Sequence, residues 1–273
     1  MKQEHIDYFA KFIEAELGII YNEENLFQLQ TRLQETMKFA TVDTLDALYE
    51  KAKNGMSGAL KQMLLDIATN NETSFFRDPK VFQGLSNSIF PEIISRLAPG
   101  ETLRIWSAAC SFGQEPYSIA MLLNELGQRL AVPKFEITAT DISSNALQRA
   151  ESGKYSQLEV QRGLAIPLLI KYFTKDKGDY WTIKPEISSH IHFKKKNLKD
   201  SFADLGKFHL ILCRNVLIYQ KVEAKADIIT RLAMQLLQKG YLVLGSAESL
   251  LGISTEFNQA VLDGMVVHQT KAA

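Results

Sequence analysis

Between residues 103 and 244, short apolar runs alternate with amphipathic stretches of helical length, and this alternation is the strongest constraint on the fold. Leu103–Trp106, Phe135–Thr140, Phe208–Cys213 and Tyr241–Leu244 are short and apolar, and each reads as a buried strand. Glu115–Leu130, Asn145–Ala150 and Val222–Gln238 read as the helices between them. Strands alternating with helices of this length imply right-handed crossovers and a parallel sheet, hence an α/β class. Gly264–Thr270 is predicted to end the sheet as an edge strand. Residues 151–200 interrupt the alternation. There Leu164–Phe173 reads as helical, and Trp181–Ile183 and Ile191–Phe193 read as short antiparallel strands. An insertion between two sheet strands is a natural place for substrate recognition.

Residues 1–68 carry no strand pattern. Ile6, Phe9, Ile13 and Leu17 recur at helical spacing until Gly18 stops the run. Leu26, Leu29, Leu33 and Met37 form a second stripe, and Thr44–Lys53 and Ala59–Ala68 supply two more. The predicted organisation is a helical domain over 1–68, a linker and connecting helix over 69–98, and a sheet domain over 99–273 with a β-rich insertion at about 154–196. The connecting helix should open at Pro79 and bend near Pro91. Lys plus Arg and Asp plus Glu both number 31, so there is no overall pull toward nucleic acid or anionic lipid. No signal-peptide core and no apolar run of ~20 residues is present, which predicts a cytoplasmic chain without membrane insertion; a monomer is expected. Cys110 and Cys213 are expected as reduced thiols. His190 and His192 lack cysteine neighbours, so no metal site is expected.

Four segments could carry chemistry. Ser107, Ala108, Ala109, Ser111 and Gly113 follow a strand and precede a helix, so a ligand could approach the backbone and the free amides of that helix. A tight loop with a packing glycine would read the same way. Asp141 ends the next strand, where a carboxylate can accept two ribose hydroxyls or simply cap the following helix. Thr69–Asp78 (TNNETSFFRD) joins the two regions, and Arg77 offers a planar fork for a carboxylate. An interdomain salt bridge with two core aromatics is the alternative there. Cys213–Tyr219 (CRNVLIY) ends a central strand, which places Asn215 and Tyr219 at the ligand edge or in the packing.

In this order the segments TNNETSFFRD, IWSAACSFGQEPYSIAM, TATDIS, GKYS, RGL, ILCRNVLIY and GSAESL resemble the chemotaxis receptor methyltransferases of the CheR type. The resemblance implies a Rossmann-like methyltransferase sheet with an N-terminal all-α domain and a small inserted antiparallel β-subdomain. It implies S-adenosylmethionine as methyl donor, S-adenosylhomocysteine as product, and glutamates of chemoreceptor cytoplasmic domains as acceptors. By residue it implies cofactor roles for Asn71, Thr73, Arg77, Glu115, Asp141, Asn197, Leu198, Arg214 and Asn215, and acceptor-side roles for Arg77 and Tyr219. Gln114 stands where the family often has glutamate, and Cys110 and Phe112 replace smaller or hydroxyl residues. The short loop before Trp181 implies receptor binding without a C-terminal tether peptide. Two other readings stay open: a methyltransferase acting on nucleic acid or a small molecule, and a sensor that binds the donor without transfer.

Overall fold

The structure, a computed structural model, describes residues 2–22 and 25–271. It opens with four helices, α1 (Gln3–Leu17), α2 (Leu26–Ala40), α3 (Leu45–Lys53) and α4 (Gly58–Ala68). The apolar stripe of each helix is buried, and the stripes meet in one core containing Phe9, Ile13, Leu29, Leu33, Leu48 and Leu64. Thr44 and Ser57 cap α3 and α4 by accepting the N–H groups of Ala47 and Leu60. Next come α5 (Pro79–Gly84), a π-helical turn over Leu85–Ile89, and α6 (Phe90–Arg96). The wide turn precedes Pro91, whose missing N–H interrupts the regular α ladder.

The remainder runs β1 (Leu103–Ala108), α7 (Gln114–Leu126), β2 (Phe135–Asp141), α8 (Ser144–Ser152), β3 (Lys154–Ser156), α9 (Gln157–Gln161), α10 (Ile166–Tyr172), β4 (Phe173–Lys175), β5 (Tyr180–Ile183), α11 (Pro185–Ser188) and β6 (Ile191–Lys195). It continues with β7 (Phe208–Cys213), α12 (Val222–Gln235), β8 (Leu236–Leu244), β9 (Phe257–Leu262) and β10 (Met265–Thr270). The main sheet has seven strands in the order β6-β2-β1-β7-β8-β10-β9. Strands β6, β2, β1, β7 and β8 are parallel, and β10 is antiparallel to both neighbours. Burial differs accordingly: every residue of β7, at the centre, is buried. Two apolar cores cover the two faces of the sheet. No helix of the described residues is long and apolar enough to cross a membrane.

Two strand assignments are corrected. Ile191–Phe193 lies not in an antiparallel pair but in β6, which extends the main sheet parallel to β2. The small antiparallel sheet consists of β3, β5 and β4 only. The final strand, β10, is not at the edge, because β9 pairs outside it. Two predicted helices also end early, at Leu126 and Gln235, where the chain turns or enters β8.

The strand order matters for function. From β1 the chain passes to β2 on one side, and later places β7 on the other. The loops leaving the carboxyl ends of β1 and β7 therefore diverge, which opens a crevice at that point of the sheet.

Candidate active site

A cavity of about 980 Å³, open to solvent, occupies this crevice. All ten residues given cofactor or acceptor roles by the family resemblance line it: Asn71, Thr73, Arg77, Glu115, Asp141, Asn197, Leu198, Arg214, Asn215 and Tyr219. Of the loop after β1, Ala109 and Ser111 line it, and Ser107, Ala108 and Gly113 do not. The backbone around it is unusual. Five non-glycine residues with positive φ cluster here: Phe76, Asp78, Ala109, Ser111 and Asn215. Left-handed non-glycine residues cost energy and persist only where their surroundings enforce them.

The loop after β1 is held to the end of β2. Cys110 N–H donates to the Thr140 carbonyl at 2.9 Å, and Ser111 N–H donates to Asp141 Oδ2 at 2.8 Å. Ser143 N–H donates to Asp141 Oδ1 at 2.9 Å, while the Ser143 hydroxyl caps α8. Helix capping thus falls to Ser143, and Asp141 lines the cavity while each of its oxygens accepts a backbone amide. Burial pushes the Asp141 carboxyl above its ordinary range, and the amide bonds from Ser143 and Ser111 pull it back. Its folded value lies above the unfolded one, so the native chain binds more protons between the two. Its contribution to stability is therefore present at low pH and lost as pH rises through that window. Burial also raises the thiols of Cys110 and Cys213 well above their usual range.

Glu115 stands in the first turn of α7 and accepts the Ser107 hydroxyl at 2.7 Å. Its other oxygen pairs with Arg214 at 2.9 Å. The Arg214 side chain is 2% exposed and also meets Asp78 at 2.6 Å. It donates as well to the Arg77 carbonyl at 2.9 Å. One guanidinium between two carboxylates leaves the cluster with a net negative charge. Arg214 and Glu115 are thus turned to each other and form part of the cavity wall.

Arg77 is different. One guanidinium nitrogen donates to the Glu72 carbonyl at 2.8 Å, and no ion pair to a carboxylate is present among the described residues. The interdomain salt bridge considered for it is absent. The neighbouring phenylalanines pack as core: Phe75 lies edge-on to Tyr155 and Phe173, and Phe76 to Phe82. The Tyr219 hydroxyl accepts from Asn70 Nδ2 at 2.9 Å. The Asn71 carbonyl accepts the Ser111 hydroxyl at 2.8 Å, which ties the polar run to the loop after β1.

Asn197 donates its side-chain amide to the Glu16 carbonyl at 2.8 Å. Lys199 reaches the Ala15 carbonyl, and Gln220 donates to the Leu17 carbonyl at 2.9 Å. Three carbonyls that the end of α1 leaves unsatisfied are therefore capped from the sheet region. Gly18 follows at φ 73°, and a Cβ there would lie 2.1 Å from Gln220 Oε1. This junction brings Leu17 and Ile19 into the cavity wall. Neither they nor Gln220 was singled out from sequence; the adjacency of Gln220 to Tyr219 was the one local hint. Glu248, which anchors the loop of Asn215 and Tyr219, was also missed.

The lining suits S-adenosylmethionine. Asp141 lines the cavity with a buried carboxylate. Leu17, Ile19, Ile142, Leu198 and Val216 line it with apolar side chains. The cluster around Arg214 adds a net negative charge to its wall.

Comparison with known proteins agrees. The family model for the CheR methyltransferase, SAM binding domain, matches residues 71–265. The chemotaxis protein methyltransferase Cher2 of Pseudomonas putida is 38% identical over 268 residues, spanning 97% of this chain and 97% of that protein. Chemotaxis protein methyltransferase 1 of Pseudomonas aeruginosa is 37% identical over 270 residues, with 97% of each covered. The chemotaxis protein methyltransferase of Vibrio parahaemolyticus is 36% identical over 272 residues, spanning 98% of this chain and 97% of that protein. With the family model matched over residues 71–265 and a relative 38% identical across 97% of the chain, the chain belongs to the CheR methyltransferase family, whose members use S-adenosylmethionine.

Proposed function

We propose that this chain methylates glutamate side chains on the cytoplasmic domains of bacterial chemoreceptors, giving glutamyl methyl esters. Family membership supports the reaction class. The observation that carries the acceptor is Arg77, a guanidinium on the cavity wall with a carbonyl partner but no carboxylate. S-adenosylmethionine supplies a methyl group on a positively charged sulfur, which a carboxylate oxygen accepts as the carbon–sulfur bond breaks. A glutamate with a reference pKa of about 4.3 is already ionised near neutral pH, so no general base is required. Arg77 binds one oxygen of the incoming carboxylate and leaves the other free. Tyr219, steadied by Asn70, orients it from the loop after β7. Asp141 accepts the ribose hydroxyls, and Asn71, Thr73, Asn197, Leu198 and Asn215 shape the rest of the donor pocket, with Glu115 and Arg214 as its charged wall. Displacement of water by the bound donor and acceptor would aid a step in which opposite charges cancel.

The assay that tests this is transfer of labelled methyl to receptor cytoplasmic fragments with and without a C-terminal tether peptide. Label released as methanol in mild alkali is expected, equally for both fragments. Alkali-stable label would indicate another acceptor atom, and donor binding without transfer would indicate a sensor.

Asp141→Asn is expected to weaken S-adenosylhomocysteine binding about tenfold or more, because an amide turns a donor toward an N–H or a hydroxyl. Calorimetry checks it, and an unchanged affinity would remove Asp141 from the ribose contact.

A further inference from the structure

Glu248 lies just beyond β8, and its carboxylate accepts five backbone N–H groups. Oε2 accepts Gly245 at 2.7 Å and Asn215 at 2.8 Å. Oε1 accepts Leu217 at 2.8 Å, Val216 at 3.1 Å and Ile218 at 3.2 Å. Successive amides converging on one point form a concavity for an anion, and bonds from amides to a carboxylate are charge-assisted. Here the anion is a side chain from the neighbouring strand end. The four consecutive amides belong to the loop that carries Asn215 and Tyr219, both on the cavity wall. Asn215 itself sits at φ 58°, a left-handed conformation that needs outside support. Without the carboxylate, the converging N–H dipoles would repel one another.

We infer that Glu248 is a positioning residue for methyl transfer, whose carboxylate sets the shape of the 214–219 loop and so presents Asn215 and Tyr219 to the cavity. The inference rests on the proposed use of this cavity for transfer. Three variants separate its parts. Glu248→Gln keeps the shape but offers one acceptor oxygen and turns an NH2 toward the amides. Glu248→Asp keeps the charge on a shorter arm. Gly245→Ala keeps the carboxylate but disturbs its seat, since a Cβ there would lie 2.8 Å from Glu248 Oε2 and 2.7 Å from Asn215 Nδ2.

The experiment combines steady-state transfer to a receptor fragment with hydrogen exchange of the intact chain. For Glu248→Gln, kcat is expected to fall about thirtyfold, the loss of a hydrogen bond to a charged group, with receptor KM nearly unchanged. Glu248→Asp should regain part of the loss, and Gly245→Ala should shift kcat in the same direction as Glu248→Gln. Amides 215–218 should lose protection while those of Leu242–Leu244 in β8 keep theirs. A kcat within about twofold of wild type for Glu248→Gln would overturn the inference. Protection lost evenly across the sheet would do the same, because Glu248 would then serve stability alone. If Glu248→Gln does not fold, the other two variants decide by the same readings. If the wild-type chain transfers nothing to receptor, the acceptor assignment fails, and Glu248 is judged by exchange at 215–218 together with S-adenosylhomocysteine affinity.

Discussion

Arg77→Ala should lower kcat for transfer to a receptor fragment by about a hundredfold, the cost of losing the donor that positions the incoming carboxylate. The size follows from how the side chain is held. Its fork is anchored at one nitrogen by the Glu72 carbonyl, and its backbone carbonyl is gripped by Arg214. The guanidinium is therefore oriented before any acceptor arrives, and an oriented donor costs little to reorganise in the transition state. Arg77→Lys keeps the charge but loses the planar fork, so it should recover only a small part of the rate. Initial rates with labelled donor measure both variants, and calorimetry with S-adenosylhomocysteine separates donor binding from acceptor placement. Full activity in Arg77→Ala would end the acceptor role.

Sequence periodicity carries far in the centre of this sheet and fails at its margins, for a physical reason. Strands β1, β2 and β7 are largely buried, β7 along its whole length, and their parallel pairing follows from the helices between them. Strand β6 has one neighbour and alternates: Ile191 is buried while His192 is exposed. That pattern is also the pattern of an antiparallel strand with one wet face, which is how it is read in isolation. In β9 only Phe257 is buried, and Asn258, Gln259, Ala260 and Val261 are exposed, so no period marks it as the edge. The site shows the same division. Asp141 and Arg77 stand out because strand ends and polar breaks are visible locally. The bond from Asn197 to Glu16 joins residues 181 positions apart, and the amides held by Glu248 lie about thirty residues upstream. Neither contact leaves a trace in spacing. Asn197 also shows that matching a family position and touching a ligand are separate matters, since its amide nitrogen already serves the end of α1.

Arg214→Met should destabilise the fold by about 3–5 kcal/mol, as expected when one member of a buried ion cluster is removed. Methionine fills much of the space, so the effect isolates charge from volume. It leaves Glu115 and Asp78 without the guanidinium that separates them, and it frees the Arg77 carbonyl at the same time. At roughly 2–4 °C per kcal/mol for a chain near this size, the melting temperature should drop by about 10 °C. Glu115→Gln in the same chain should recover part of that loss, because one of the stranded charges is gone; the non-additivity of the pair measures their coupling. The double variant returns the cluster to its wild-type formal net charge, so any S-adenosylhomocysteine affinity still missing reports the lost geometry of the wall rather than its charge. Thermal melts of the two single variants and the double variant, with and without S-adenosylhomocysteine, read both quantities. A melting temperature for Arg214→Met within a degree or two of wild type would show that the cluster does not bear on folding. The cavity wall would then depend on the loops anchored by Asp141 and Glu248 rather than on the buried guanidinium.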